Sequence, residues 1–275
     1  MNTLTHTLPR PTAPRATRLT QAHITHGEWT KFRSLRSSGF ALLAALLMLV
    51  GIGMIASAAT VHDWASMSVI VRAGFDPLLT SLRGVDGAQL ALGVLGVLWI
   101  SGEYGTGLIR SSFTAVPKRL PVLWAKAGVL AAVSLLLALP GTLIAFFASQ
   151  SILQGKHISI AFTHPGVARA LIGAALYLTV LALFSLGLGA VIRNTAGGIA
   201  ALVSIVFVLP SLISVLGATW KNAIYPYLPT NAGAAITSIH QQAHTLAPWT
   251  GFGLFLGYTA ALLALAATLL RRRDT

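Results

Sequence analysis

The chain of 275 residues contains no cysteine. That excludes disulfides, thiolate metal sites and a cysteine nucleophile together. It is also poor in charge: only 9% of its residues are Asp, Glu, Lys or Arg, against roughly 25% in soluble domains. Acidic residues are scarcest, numbering six, and none falls in the interior of the apolar runs described below, Asp86 standing at the start of one. Proton relays of buried acids, carboxylate dyads and aspartyl proteolysis within a membrane are thereby disfavoured, since each needs ionisable groups at depth. A Walker A loop is missing too, because Gly155-Lys156 is followed by His157 and has no Gly five residues before it. The chain offers no nucleotide site of that kind.

What is present is hydrophobic residue, at 55% of the chain. Six apolar runs are long enough to cross a bilayer, which predicts an all-α polytopic membrane protein. They cover about residues 40–61, 86–102, 127–149, 167–192, 197–216 and 251–270. The second opens on Asp86-Gly-Ala-Gln89, which has the form of a capping box. At 1.5 Å per residue this run reaches only about 25 Å, so its helix is expected to continue past residue 102. Ala56-Ser57-Ala58 resembles a signal-peptidase site, but the long leader before it and the membrane character after it favour a retained first helix.

Net charge is +13, and no separate basic domain carries it, so lipid headgroups rather than nucleic acid are the expected partner. One set of connections holds Arg10, Arg15, Arg18, Lys31, Arg33, Arg36, Arg110, Lys118, Arg119, Lys126, Arg193 and Arg271 to Arg273. The other holds only Arg72, Arg83, Lys156, Arg169 and Lys221. The positive-inside rule then places both termini in the cytoplasm. Residues 1–21, rich in proline and arginine, read as a disordered leader. Residues 22–38 read as an amphipathic interfacial helix, with Ile24, Trp29, Phe32 and Leu35 on one face and Thr30, Lys31, Arg33 and Ser34 opposite. Glu28 and Arg36 interrupt its apolar arc.

Two further segments stand out. Residues 217–250 are long for a connection and semi-polar, with Trp220, Tyr225, Tyr227 and Trp249 suited to an interface. Broken by Pro226 and Pro229, with a short helix expected over 232–243, they read as a partly re-entrant external lid. Within it, His240-Gln-Gln-Ala-His244 has metal-compatible spacing but lacks the Glu that a zinc hydrolase uses as base. Ser185-Leu-Gly-Leu-Gly lacks the nucleophile-elbow order, so Gly187 and Gly189 are expected to permit close helix packing. The other segment is a basic island, SGEYGTGLIRSSFTAVPKRLPVLWAK, over Ser101 to Lys126. Gly105, Gly107, Pro117 and Pro121 punctuate it, with a short helix expected over 108–115.

The island's order is Glu103-Tyr104, Gly105-Thr106-Gly107, Ile109-Arg110, Val116-Pro117-Lys118-Arg119, then Lys126. It resembles the cytoplasmic segment of ABC-2-type ABC exporter permeases, in particular their actinobacterial branch. The leader Glu28-Trp-Thr-Lys-Phe-Arg-Ser34 is similar to that family's connecting helix, and Tyr227-Leu-Pro-Thr-Asn-Ala-Gly233 and Leu270-Arg-Arg-Arg-Asp274 fit the same branch. Gly105 follows Tyr104 directly, where the family often has one more residue.

The resemblance spans about residues 22–275 and implies an ABC-2 exporter-type fold in a bacterial plasma membrane. Two permease subunits would form the pathway, and separate ATPase subunits would hold ATP and Mg, leaving this chain without a cofactor or enzymatic activity of its own. It implies coupling to the ATPase through Glu103, Tyr104, Gly105, Thr106, Gly107, Arg110, Pro117, Lys118 and Arg119. It further implies an interfacial lever at Glu28, Trp29, Phe32, Arg33 and Leu35, and an external lid at Tyr227, Pro229 and Asn231. The uncharged spans suit an amphiphilic substrate. A non-transporting membrane sensor, or a hydrolase using His240 and His244, are the alternative readings.

Overall fold

A computed structural model describes residues 20–105, 119–239 and 245–272. Every regular element among them is helical. Six helices are long and apolar enough to cross a membrane: Arg36–Asp63, Gly84–Tyr104, Leu120–Gln154, Val167–Ile192, Thr195–Val215 and Pro248–Arg272. With the shorter elements, the order is α1 (Gln21–Ser34), α2 (Arg36–Asp63), α3 (Val69–Ala73), α4 (Pro77–Ser81), α5 (Gly84–Gly105), α6 (Arg119–Gln154) and α7 (Val167–Ile192). The span Thr195–Val215 follows as α8, then α9 (Ala218–Ile224), α10 (Pro229–Ala234) and α11 (Pro248–Arg272).

The helices overrun the apolar runs because the hydrogen-bonded ladder does not stop where hydropathy falls. Asp63 and Glu103, which the apolar runs leave outside, and Asp86, with which the second run opens, therefore lie within helix ends. Asp86 does not cap α5. The helix starts at Gly84, and the N–H groups of Val85 and Asp86 already bond to the carbonyls of Leu82 and Arg83. The turn after α4 thus supplies the acceptors that a capping box would supply. The expected prolongation of α5 is observed: its 22 residues reach about 33 Å. Helix α6, with 36 residues, is about 54 Å long and exceeds a hydrocarbon core of about 30 Å.

The core lies along α7, whose apolar window is 78% buried, while that of α2 is only 17% buried. Helix α7 packs on α5, α6 and α11. Glycines permit these approaches. A Cβ at Gly96 would lie 2.4 Å from the Ala182 carbonyl oxygen, and one at Gly189 would lie 2.8 Å from Ile100. Gly187, likewise, faces Leu262 with no room for a side chain. These contacts match the packing role expected for Gly187 and Gly189.

Helix α7 ends with Arg193 in the left-handed conformation (φ 57°). Asn194 then accepts from the Gly197 N–H at 2.8 Å and starts α8. Within α8, Ser204–Val208 forms a π turn. The cause is Pro210: it has no N–H for the carbonyl of Val206 and its ring crowds that carbonyl. The ladder accommodates this by widening, with the Leu209 N–H reaching back to Ser204.

Candidate functional site

The interfacial helix of the sequence reading is two helices. Helix α1 stops at Ser34, and Leu35 is extended before α2 begins at Arg36. Glu28, which interrupts the apolar arc of α1, is 3% exposed. It points toward Lys126, itself only 1% exposed, about 10 Å along α6 from its first residue. Their contact is 2.7 Å, from Lys126 Nζ to Glu28 Oε2. The same ammonium donates to Glu103 Oε1 of α5 at 2.8 Å. Lys31, one turn after Glu28, donates to Glu28 Oε1 at 2.8 Å and lies 3.4 Å from Glu103 Oε1.

Three helices therefore share one cluster of two carboxylates and two ammoniums, whose formal charges cancel. Such neutrality is what makes burial tolerable, because an unpaired ion at this depth would be expelled or neutralised. Trp99 lies one helical turn before Glu103. Its ring meets the Lys126 ammonium at 4.3 Å from the centroid, a cation–π contact strengthened by exclusion of water. Phe32 closes the other side, edge-on to Trp99 at 4.9 Å between centroids. Gln21 Nε2 donates to the Pro121 carbonyl at 3.0 Å, fixing the start of α1 to the start of α6. Glu103 Oε2 is buried and has no hydrogen-bond partner among the described residues.

Lys31 is the half-exposed member. Burial lowers its pKa, but the Glu28 hydrogen bond and the charges of Glu103 and Glu28 outweigh that and hold it above its ordinary value of 10.5.

The site residues expected from sequence fall into distinct places. Glu28, Phe32 and Glu103 meet in the cluster. Tyr104 faces Arg193, whose guanidinium carbon lies 5.1 Å from the ring centroid, so the end of α5 also contacts the α7–α8 break. Trp29, Arg33 and Leu35 are exposed, and Trp29 and Arg33 border an open groove with His26 and Thr30. Gly105 ends α5 and Arg119 begins α6. Thr106, Gly107, Arg110, Pro117 and Lys118, with the expected helix over 108–115, lie outside the described residues, as do His240 and His244.

At the other end of α5, the expected lid holds α10, opened by Pro229, and a 3-10 turn at Ala235–Thr237. Asn231 Nδ2 donates to the Tyr225 carbonyl at 2.8 Å, and Tyr258 donates to the Tyr227 carbonyl at 3.1 Å.

Sequence reasoning did not find Trp99 or the Lys126 contacts. Their signal is a charge that disrupts an otherwise good apolar pattern at three separate places, Glu28, Glu103 and Lys126, whose total cancels once Lys31, one turn after Glu28, is included. The cluster ties α1, α5 and α6 to one another at the edge of the island. Compared with known proteins, the chain matches no family model and no curated sequence.

Proposed function

We propose that this chain is the permease subunit of an ABC exporter of the ABC-2 type, with both termini and the basic island in the cytoplasm of a bacterial cell. The observation that carries the reading is the double contact of Lys126 with Glu28 and Glu103. These residues come from three separate pieces of the resemblance: the connecting helix, the Glu-Tyr pair and the lysine entering the third span. Their convergence gives that sequence pattern a physical purpose. Six apolar helices and the clustering of Lys and Arg on one side support the same reading.

In this scheme a separate ATPase pair binds below the island, and a second permease subunit, identical or related, completes the pathway. Closure of the ATPases on ATP displaces residues 106–118, which are bounded by α5 and α6. Because Lys126 holds both neighbouring helix ends to α1, the displacement reaches the second and third spans and the interfacial helix together. An isolated basic segment would only fix topology; a segment anchored at both ends to a buried ionic joint can transmit force. The substrate is an amphiphile, consistent with spans lacking charge at mid-depth.

The test is co-purification with candidate ABC ATPase subunits co-expressed with this chain, followed by ATP hydrolysis in nanodiscs. We expect a stable complex whose hydrolysis is stimulated by an amphiphilic substrate. Failure to bind any ATPase would instead favour a non-transporting membrane sensor.

A further inference from the structure

The end of α5 opposite the ion cluster borders a cavity of about 400 Å3, enclosed also by α4, α7, α8 and the 229–237 segment. Three polar side chains reach it from a buried position: Gln89 and Thr230 are each 5% exposed and Tyr177 is 2% exposed. Tyr177 donates its hydroxyl hydrogen to Gln89 Oε1 at 2.5 Å. This leaves the Gln89 amide nitrogen without a bond among the described residues. Thr230 Oγ1 is buried and has no partner there either. A buried hydroxyl nearly always finds a partner, so the Thr230 hydroxyl beside this cavity points to a group outside the chain that supplies it.

The remaining walls define what that is. Val206 and Phe207, on the π turn of α8, supply apolar surface. A π turn in a span redirects side chains and frequently accompanies a ligand site. Asp86 stands exposed at the rim. Of the chain's six acidic residues, Glu28 and Glu103 belong to the ion cluster and Asp76 caps α4. Asp86, by contrast, makes no ion pair or side-chain hydrogen bond among the described residues. Arg83, one turn earlier, is exposed and also borders the cavity.

We propose that this cavity is a binding site for a small cationic amphiphile. Asp86 takes the ammonium at the rim, the Gln89 amide and Thr230 hydroxyl take a hydroxyl or ether oxygen in the interior, and Val206 and Phe207 hold the apolar part. The volume lies within the range of small-molecule sites. The site stands on its own residues and does not require the exporter reading, since a sensor would use it equally well.

The probe is propranolol, a fluorescent aryl ether that carries an alcohol and a secondary ammonium. Its control is the uncharged analogue 3-(1-naphthyloxy)-1,2-propanediol. Binding is measured by equilibrium dialysis on full-length protein in phosphatidylcholine nanodiscs, with empty nanodiscs subtracted. Saturable one-site binding is expected, with propranolol favoured over the diol at least tenfold. Asp86→Asn should abolish that preference while leaving diol binding unchanged, and Thr230→Val should weaken both ligands about tenfold. Val206→Trp, which fills the cavity, should remove both. Variants are compared only after thermal melting shows a native transition; Asp86→Asn is exposed and should melt as the parent does. Binding that never saturates, or saturable binding indifferent to Asp86→Asn and Val206→Trp, would overturn the assignment.

Discussion

Lys126 is the residue on which most of the chemistry converges. It is buried, bonded to carboxylates from two other helices and set against an aromatic ring. Replacing it with methionine preserves length but leaves Glu28 and Glu103 facing each other. The expected loss is about 3–5 kcal/mol, as for breaking other buried pairs from one side. Removing Glu28 and Lys126 together, as Glu28→Gln with Lys126→Met, should cost less than the two single losses summed, because no lone ion remains. Chemical denaturation in a mild detergent, run as a double-mutant cycle, measures both. Lys31 adds a pH signature. Its folded pKa lies above the ordinary 10.5, so its stabilising effect is complete below that value and disappears as pH rises through the raised one. Lys31→Met should accordingly flatten the alkaline fall in melting temperature seen above about pH 10.5.

At the scale of elements, close approach of α5 and α7 depends on residues without side chains. A methyl group on Gly96 would lie 2.4 Å from the Ala182 carbonyl, a backbone atom that can shift only with its whole helix. Gly96→Val should therefore destabilise by about 1–3 kcal/mol or more, as overpacking generally does. Gly253→Ala, where an added Cβ meets nothing within 4 Å, should be close to neutral; thermal melts of the two variants make the comparison.

The elements themselves were largely legible from the chain. The run 167–192 corresponds to α7 residue for residue, because Gly166 and Arg193 punctuate both ends. Other ends differed where polar residues continue a helix, as at Asp86 and at the start of α6. The Leu35 break was not legible, since no Gly or Pro marks it. Neither was the inward turn of Glu28: hydropathy treats any carboxylate as outward-facing, and only a distant partner makes the opposite stable.

For the whole molecule, the distribution of burial matters most. Helix α7 is enclosed, whereas α2, α8 and α11 leave most of their apolar windows uncovered. In a bilayer those faces meet lipid or a second subunit, and the proposed dimeric permease uses both. The ion cluster lies at one end of α5 and the polar cavity at the other, separated by about 25 Å of helix. One rigid element thus joins the proposed drive to the proposed ligand site.

The central claim is that the joint at Lys126 transmits the work of an ATPase. It is tested most directly by ATP hydrolysis of the reconstituted complex carrying Glu28→Gln with Lys126→Met, a pair that keeps the net charge. The account predicts that the complex still assembles and that substrate-stimulated hydrolysis falls at least tenfold. Stimulation equal to that of the parent, in a complex assembled to the same extent, would contradict it.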